Sequence, residues 1–262
     1  VGLYESRWPK VLSSYYRTGH GTPEHREDAA QQLLPGWRAW KAAGVRAHQL
    51  VSEASVRFGR DLGLVAELPY VVMVGVGDSN GWVTPFEGRS TLFLAVELLP
   101  GMPYDEILVL HELGHVAHQA QASIDDDESS VADVLLQEGL ATALSARLRP
   151  GLEPDEYLWF GRPDGVSRWR QACYEAWDHC VAQLTDVADS REDADLRRFF
   201  SGGVGSSTDG VPGRAGYLLG ALGVEYLLRT VPAEQLLREP LESATPLLLA
   251  AVQQIDPKSV DQ

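Results

Sequence analysis

One stretch of this chain departs from the helical spacing around it, and that stretch limits the fold class. Tyr70-Val71-Val72-Met73-Val74-Gly75-Val76 is β-rich and nearly continuous, the pattern of a strand buried on both faces. Asp78-Ser79-Asn80-Gly81 is a turn signal, Trp82 and Val83 open a short strand, and Ser90 to Leu98 reads as another. Residues 1–65 are helical in pattern. Pro9, Gly19 to Pro23, Pro35-Gly36 and Gly44 cut them into short pieces, and Trp8, Trp37 and Trp40 are expected to pack in the core. Beyond residue 100 helices are expected over 104–121, 129–149, 166–189, 191–200, 212–230 and 233–254. The expected class is α+β: a small β-sheet, then one central helix, then a mainly helical C-terminal lobe. No internal repeat is evident.

That central helix carries His111-Glu112-Leu113-Gly114-His115, an HExxH pattern. Acids at Asp105 and Glu106 open it, an apolar run follows, and no breaker occurs before Gln121. On a helix the two His stand at i and i+4, so both imidazoles leave one face about one turn apart. Such a pair can hold one Zn²⁺ at roughly 2.0–2.1 Å per bond. Glu112 lies about 100° around the helix from His111, placed to take a proton from water rather than to bind metal. Retention of a carboxylate at 112 argues for catalysis, since a purely structural metal site needs no base.

A hydrolytic zinc site needs a third protein ligand and one open position. The extended three-His pattern fails here, because His118 and Gln121 stand where Gly and His would be required. Asp125, Asp126, Asp127 and Asp133 are available, as is Glu138 in the next helix. Glu138 is the strongest candidate: an acid among Leu, Gly and Ala is costly to bury unless it meets a cation. Gly139, Ala141 and Ala143 permit a neighbouring helix to approach closely, and Gly114 does the same from the HExxH helix. The run Asp125-Asp126-Asp127-Glu128 lacks the Gly and spaced ligands of a calcium loop and is expected to be a solvated turn.

Farther on, Ser201 to Gly213 is rich in Gly and Ser, lacks the Gly-Lys-Ser/Thr of a phosphate loop, and reads as a flexible connector. It leads into Arg214 and Tyr217, i and i+3 near the start of an apolar helix in which Gly216 and Gly220 allow close packing. Either could donate a hydrogen bond to the oxyanion of amide hydrolysis; the alternative is a buried Tyr beside a structural Arg. His118 is expected in the core, and nothing ties His179 to the site.

With HExxH, Glu138 and the Glu-Gly-Leu-Ala run that it opens, the chain resembles the gluzincins, the thermolysin-like zinc metallopeptidases, and in particular their compact bacterial members. The resemblance spans roughly residues 70–230. It implies a zincin-like fold, Zn²⁺ as cofactor, His111, His115 and Glu138 as ligands, Glu112 as general base, and Tyr217 as oxyanion donor. It also implies a sheet whose edge strand pairs with an extended peptide, for which 90–98 is the candidate. One departure is visible: thermolysin carries an Asp four residues after its ligand Glu, and this chain has Thr142. Asp133 or a backbone carbonyl would then have to support a ligand His.

The expected activity is therefore peptide-bond hydrolysis by a zinc metallopeptidase. A zinc hydrolase of non-peptide amides or esters, or a non-catalytic protein with a vestigial metal site, is the alternative. One catalytic unit is expected, residues 1–122 supplying helices, sheet and HExxH helix and residues 123–262 the lobe with the third ligand. The formal net charge of −15 argues against nucleic acid and anionic membrane surfaces as partners and favours neutral or basic substrates. Cys173 and Cys180 stand seven apart on one expected helix, too far for a disulfide, and free thiols suit a reducing, cytoplasmic setting. No apolar run spans a membrane and no signal peptide is visible, although a chain starting at Val1 leaves a removed leader open.

Overall fold

The computed structural model describes residues 6–17, 31, 34–64, 68–75, 77, 79–124 and 129–257. It divides into two units, Val1–Val116 and Ala117–Gln262, and the division falls inside a helix. The class is mixed α+β: mostly helix, with one small sheet and one short hairpin. The expected turn at 19–23 and the acid run at 125–128 lie outside the described residues. No helix among the described residues is long and apolar enough to cross a membrane.

The first unit holds helices α1 (Pro9–Arg17) and α2 (Trp37–Leu62), strands β1 (Tyr70–Met73), β2 (Gly81–Phe86) and β3 (Arg89–Ala95), and most of helix α3 (Tyr104–Ala122). The sheet runs β1-β3-β2, so β3 is central. It lies parallel to β1, with Tyr70 opposite Leu92, and antiparallel to β2, with Gly81 opposite Leu94. Glu87 and Gly88 join β2 to β3 with φ of 50° and 81°. This is the two-residue turn whose twist matches that of paired strands.

The sequence pattern makes 70–76 the doubly buried strand, and the resemblance makes 90–98 the substrate-pairing edge; the structure reverses which of the two is central. Residues Leu92 to Ala95 of β3 are fully buried, and β1 is a half-buried edge. β1 stops at Met73 because the next backbone donors turn elsewhere. The amides of Gly75 and Gly77 bond the Glu97 carboxylate, at 3.1 and 3.3 Å, instead of a neighbouring strand.

Helix α2 buries one stripe, Ala43, Ala47, Leu50, Val51, Ala54, Phe58 and Leu62. It runs unbroken through Gly44, contrary to the expected break. A single interior Gly costs only about 1 kcal/mol, which the packing of that stripe outweighs. Gly63, at φ 63°, ends the helix and donates its N–H to the Phe58 carbonyl. Trp8 and Trp37 are not core residues: they are 44% and 54% exposed, each beneath an arginine side chain. Trp40 is half-buried. The aromatic core is built instead on Tyr15, Trp82 and Phe93, with Leu12, Met73 and Ala95. Trp82 stacks on Phe93 at 5.4 Å and so fixes the start of β2.

The first turn of α3 is fastened to α2. Asp105 is fully buried, accepts the Gly101 N–H at 2.6 Å, and is paired with the Arg46 guanidinium at 2.6 Å. Glu106 pairs with Arg57 at 2.7 Å. Both acids also sit at the positive end of the helix dipole.

The second unit runs from the end of α3 through α4 (Val131–Leu148), α5 (Pro154–Trp159), α6 (Val166–Glu175), α7 (Trp177–Val187) and α8 (Asp193–Phe200). There follow a hairpin of β4 (Ser207–Thr208) and β5 (Val211–Pro212), then α9 (Ala215–Leu227), α10 (Ala233–Leu236) and α11 (Leu241–Gln254). α9 is apolar nearly all round, as a helix enclosed by others must be. It packs on α4, α8 and α11. At its crossing with α4 the backbones touch: a methyl group at Gly139 would overlap the Gly220 carbonyl, and one at Gly220 the Leu135 carbonyl. The close approach anticipated at Gly139 is thus to Gly220 of α9.

Two expected helices are each split. The 166–189 helix breaks at Ala176, yet Trp169, Cys173, Trp177, Cys180 and Leu184 continue one buried stripe through the break. The 233–254 helix breaks at Pro240, which cannot donate to the preceding turn. The Gly-rich segment 201–213, expected as a flexible connector, contains a short hairpin. Asp209 and Gly210 form its turn with φ of 51° and 81°. His179 bonds the Asp209 carbonyl at 2.8 Å, and the buried Trp169 indole donates to the Gly213 carbonyl at 2.7 Å.

Candidate metal centre

Helix α3 covers the expected span and buries His111 to Gly114, with His115 half-buried. Ile107 to Leu110 and Leu113 are fully buried, His111 is 3% exposed and Glu112 8% exposed. One imidazole of the pair is therefore buried and the other half-buried. The Nε2 atoms of His111 and His115 are 3.1 Å apart, with the rings nearly perpendicular at 79°.

Glu138 stands in the middle of α4, half-buried. His111, His115 and Glu138 each offer one ligand atom, and all these atoms lie within 4.8 Å of one another. The donor set suits zinc in kind, and the imidazole pair suits it in spacing. Two ligands at about 2.0–2.1 Å in tetrahedral array are separated by roughly 3.3 Å, close to the observed imidazole spacing. Two nitrogens and one carboxylate oxygen also leave a fourth position for water.

Asp133 is not part of this group. Its Oδ2 accepts the backbone N–H and hydroxyl of Ser130, at 3.0 and 2.8 Å, while the Ser130 hydroxyl oxygen accepts the Asp133 N–H at 3.2 Å. Its Oδ1 accepts the Thr245 hydroxyl at 3.0 Å. Asp133 thus starts α4 as half of a capping box, its carboxylate engaged with Ser130 and Thr245, contrary to the expectation of a metal ligand or a support for a ligand His. His118, buried one turn beyond His115, does not join the cluster.

Glu112 has a neighbour that sequence reasoning read only as a turn residue. The first residue of β2, Gly81, lies against it: a Cβ there would stand 3.1 Å from Glu112 Cγ and 3.4 Å from Oε1. Any side chain at 81 would have to displace the carboxylate arm. The Glu97 carboxylate holds the amides of Gly75 and Gly77, ahead of Gly81 in the chain. Burial raises the Glu97 carboxyl above its ordinary value, partly offset by those two amides. The Asn80-Gly81 pair was the only sequence signal for this contact.

Arg214 and Tyr217 are stacked together. The Arg214 guanidinium lies 4.2 Å over the Tyr217 ring and 4.6 Å over the Trp159 ring, and donates to the Leu158 carbonyl at 2.9 Å. Tyr217 also meets Phe200 edge-on at 5.8 Å. Arg214 thus joins the end of α5 to the start of α9. Thr142, one turn after Glu138, is buried, and its hydroxyl has no hydrogen-bond partner.

No protein-family model, no curated protein and no solved structure matches this chain.

Proposed function

We propose that this chain is a zinc-dependent hydrolase that cleaves peptide bonds, a metallopeptidase of gluzincin type. The observation that carries the reading is the convergence of His111, His115 and Glu138, with Glu112 beside them in sequence. In this reading the two Nε2 atoms and the Glu138 carboxylate hold the metal. Bound zinc would acidify water toward a pKa of about 7 and polarise a carbonyl group. Glu112, buried and braced by Gly81, takes the proton from the attacking water and returns it to the leaving amine. Tyr217 donates its O–H to the developing oxyanion, and Arg214 orients the Tyr217 ring from its stacked position.

Because β3 is central, the substrate strand in this reading is β2, an edge of the sheet among the described residues. It begins at Gly81, against the proposed base, so an extended peptide paired with β2 would run past Glu112.

Zinc titration of the chain and its variants, with a peptide library as substrate, tests the assignment. Wild type should bind one zinc tightly and cleave peptides. His111→Ala, His115→Ala and Glu138→Ala should each lose zinc affinity by at least about tenfold. Glu112→Gln should keep zinc and lose cleavage. Full zinc affinity in Glu138→Ala overturns the ligand set, and full activity in Glu112→Gln overturns the base. Cleavage of small amides or esters with no peptide cut overturns the peptidase assignment.

A further inference from the structure

A cavity of about 350 Å³ lies within the second unit, lined by α4, the α5 region, α6 and α9. Its volume is in the range of pockets that take small ligands or side chains. Leu152, Leu158, Leu218 and Leu222 give it apolar walls. Two features mark it as more than a packing defect. The Thr142 side chain forms part of the wall, is 5% exposed, and leaves its hydroxyl oxygen unpartnered. A buried hydroxyl without a partner is costly, so something else must justify it. The second feature is charge. The wall carries Asp155, Arg170 and Glu225. Asp155 and Arg170 face each other at 3.7 Å, which leaves the wall with one acid in excess, Glu225. Burial raises the Glu225 carboxyl above its ordinary value, and Arg229, which lines no part of the cavity, partly offsets that rise.

The cavity has a near and a far end relative to the proposed zinc ligand. Thr142 follows Glu138 by four residues and shares its helix face, about 6 Å along the axis. Leu218, Leu222 and Glu225 follow one another at i, i+4 and i+7 on α9, spanning about 10 Å. Glu225 is exposed and stands at the rim. We propose that this cavity receives a lysine or arginine side chain of the peptide substrate, its aliphatic stem along Leu158, Leu218 and Leu222 and its cation at Glu225. The inference rests on the metallopeptidase reading and names its substrate class. A long stem with a charged tip matches leucine walls beside a wall with one acid in excess. A net charge of −15 draws in basic peptides as well.

Two measurements on the full chain separate this inference from the reading beneath it. The first is the melting temperature of metal-free protein with Nα-acetyl-lysine methylamide or the norleucine analogue. The lysine probe should raise it more, and Glu225→Gln should abolish the difference. Equal shifts, or none, overturn the cavity assignment. Leu222→Trp fills the cavity and should abolish both shifts; Glu225→Gln, at the exposed rim and harmless to packing, is the deciding variant. The second is a peptide library with zinc-loaded protein. Basic side chains should be favoured over norleucine by about tenfold in kcat/KM, falling to parity in Glu225→Gln. Cleavage without that preference overturns the cavity and spares the peptidase. Lysine binding with no peptide cleaved spares the cavity and overturns the peptidase.

Discussion

Gly139→Ala is the substitution whose cost can best be worked out from geometry. Alanine is the better helix former by about 1 kcal/mol, so an isolated α4 would gain. In the folded chain the new methyl group would overlap the Gly220 carbonyl, about 1 Å short of ordinary contact. The obstacle is backbone, which cannot rotate away, so α4 and α9 must separate. Overpacking of this kind costs about 1–3 kcal/mol and occasionally more, and the upper end applies because both partners are helix backbone. Net destabilisation should be about 2 kcal/mol, or a fall in melting temperature of roughly 4–8 °C for a chain of this size. Gly44→Ala is the matched control. Its methyl group would meet Val72 and Val96 at 3.9 and 4.0 Å, ordinary contacts. It should therefore stabilise by up to about 1 kcal/mol. Urea denaturation of both variants, with the m-value held common, gives the comparison. A Gly139→Ala protein as stable as Gly44→Ala would refute the close crossing of α4 and α9.

Three further outcomes follow from the described contacts. Asp105→Ala strips the Gly101 amide and the Arg46 guanidinium of their acceptor and should cost about 1.5–3 kcal/mol in urea denaturation, with a smaller loss counting against the anchoring of α3. Burial raises the Cys173 and Cys180 thiols to about 12 and about 11, so native protein should not react with a thiol reagent at pH 8 while unfolded protein shows both; a fast native reaction contradicts their burial. The raised Glu97 carboxyl means that its contribution to stability is fully present below its ordinary value of 4.5 and is lost as pH rises through the folded value, so Glu97→Gln should lose ground to wild type as pH falls from 7 to 4.5, and a flat difference would refute the desolvation.

The parts of the molecule legible in the sequence are those set by local chemistry. α3 showed itself because acids open it and an apolar run leads into HExxH; α4 did so through its regular apolar spacing. Glu138 stood out because a carboxylate among Leu, Gly and Ala needs a partner. Sheet order was not legible. Both apolar runs, 70–76 and 90–98, can fill a central position, and the choice fell to the Glu97 carboxylate, which claims the amides of Gly75 and Gly77 and ends β1 early. The contact between Gly81 and Glu112 joins residues 31 positions apart, and a one-dimensional pattern carries no such distance. The Asp209-Gly210 turn was present as a hairpin signal, but its flanking strands are two residues each, too short for alternation to show. The break at Ala176 left no trace because the buried stripe stays in phase across it.

The Glu87-Gly88 turn acts as a ruler for the proposed active site. It fixes which residue of β2 faces which residue of β3, and therefore which residue stops at Glu112. Adding or deleting one residue there would shift β2 by about 3.3 Å and turn every side chain to the opposite face. Trp82 would leave its stack on Phe93, and either Asn80 or Trp82 would arrive where only Gly81 leaves room. A length change at an exposed turn would thus be felt as a steric fault at the proposed catalytic carboxylate, with all the residues proposed for catalysis still in the chain.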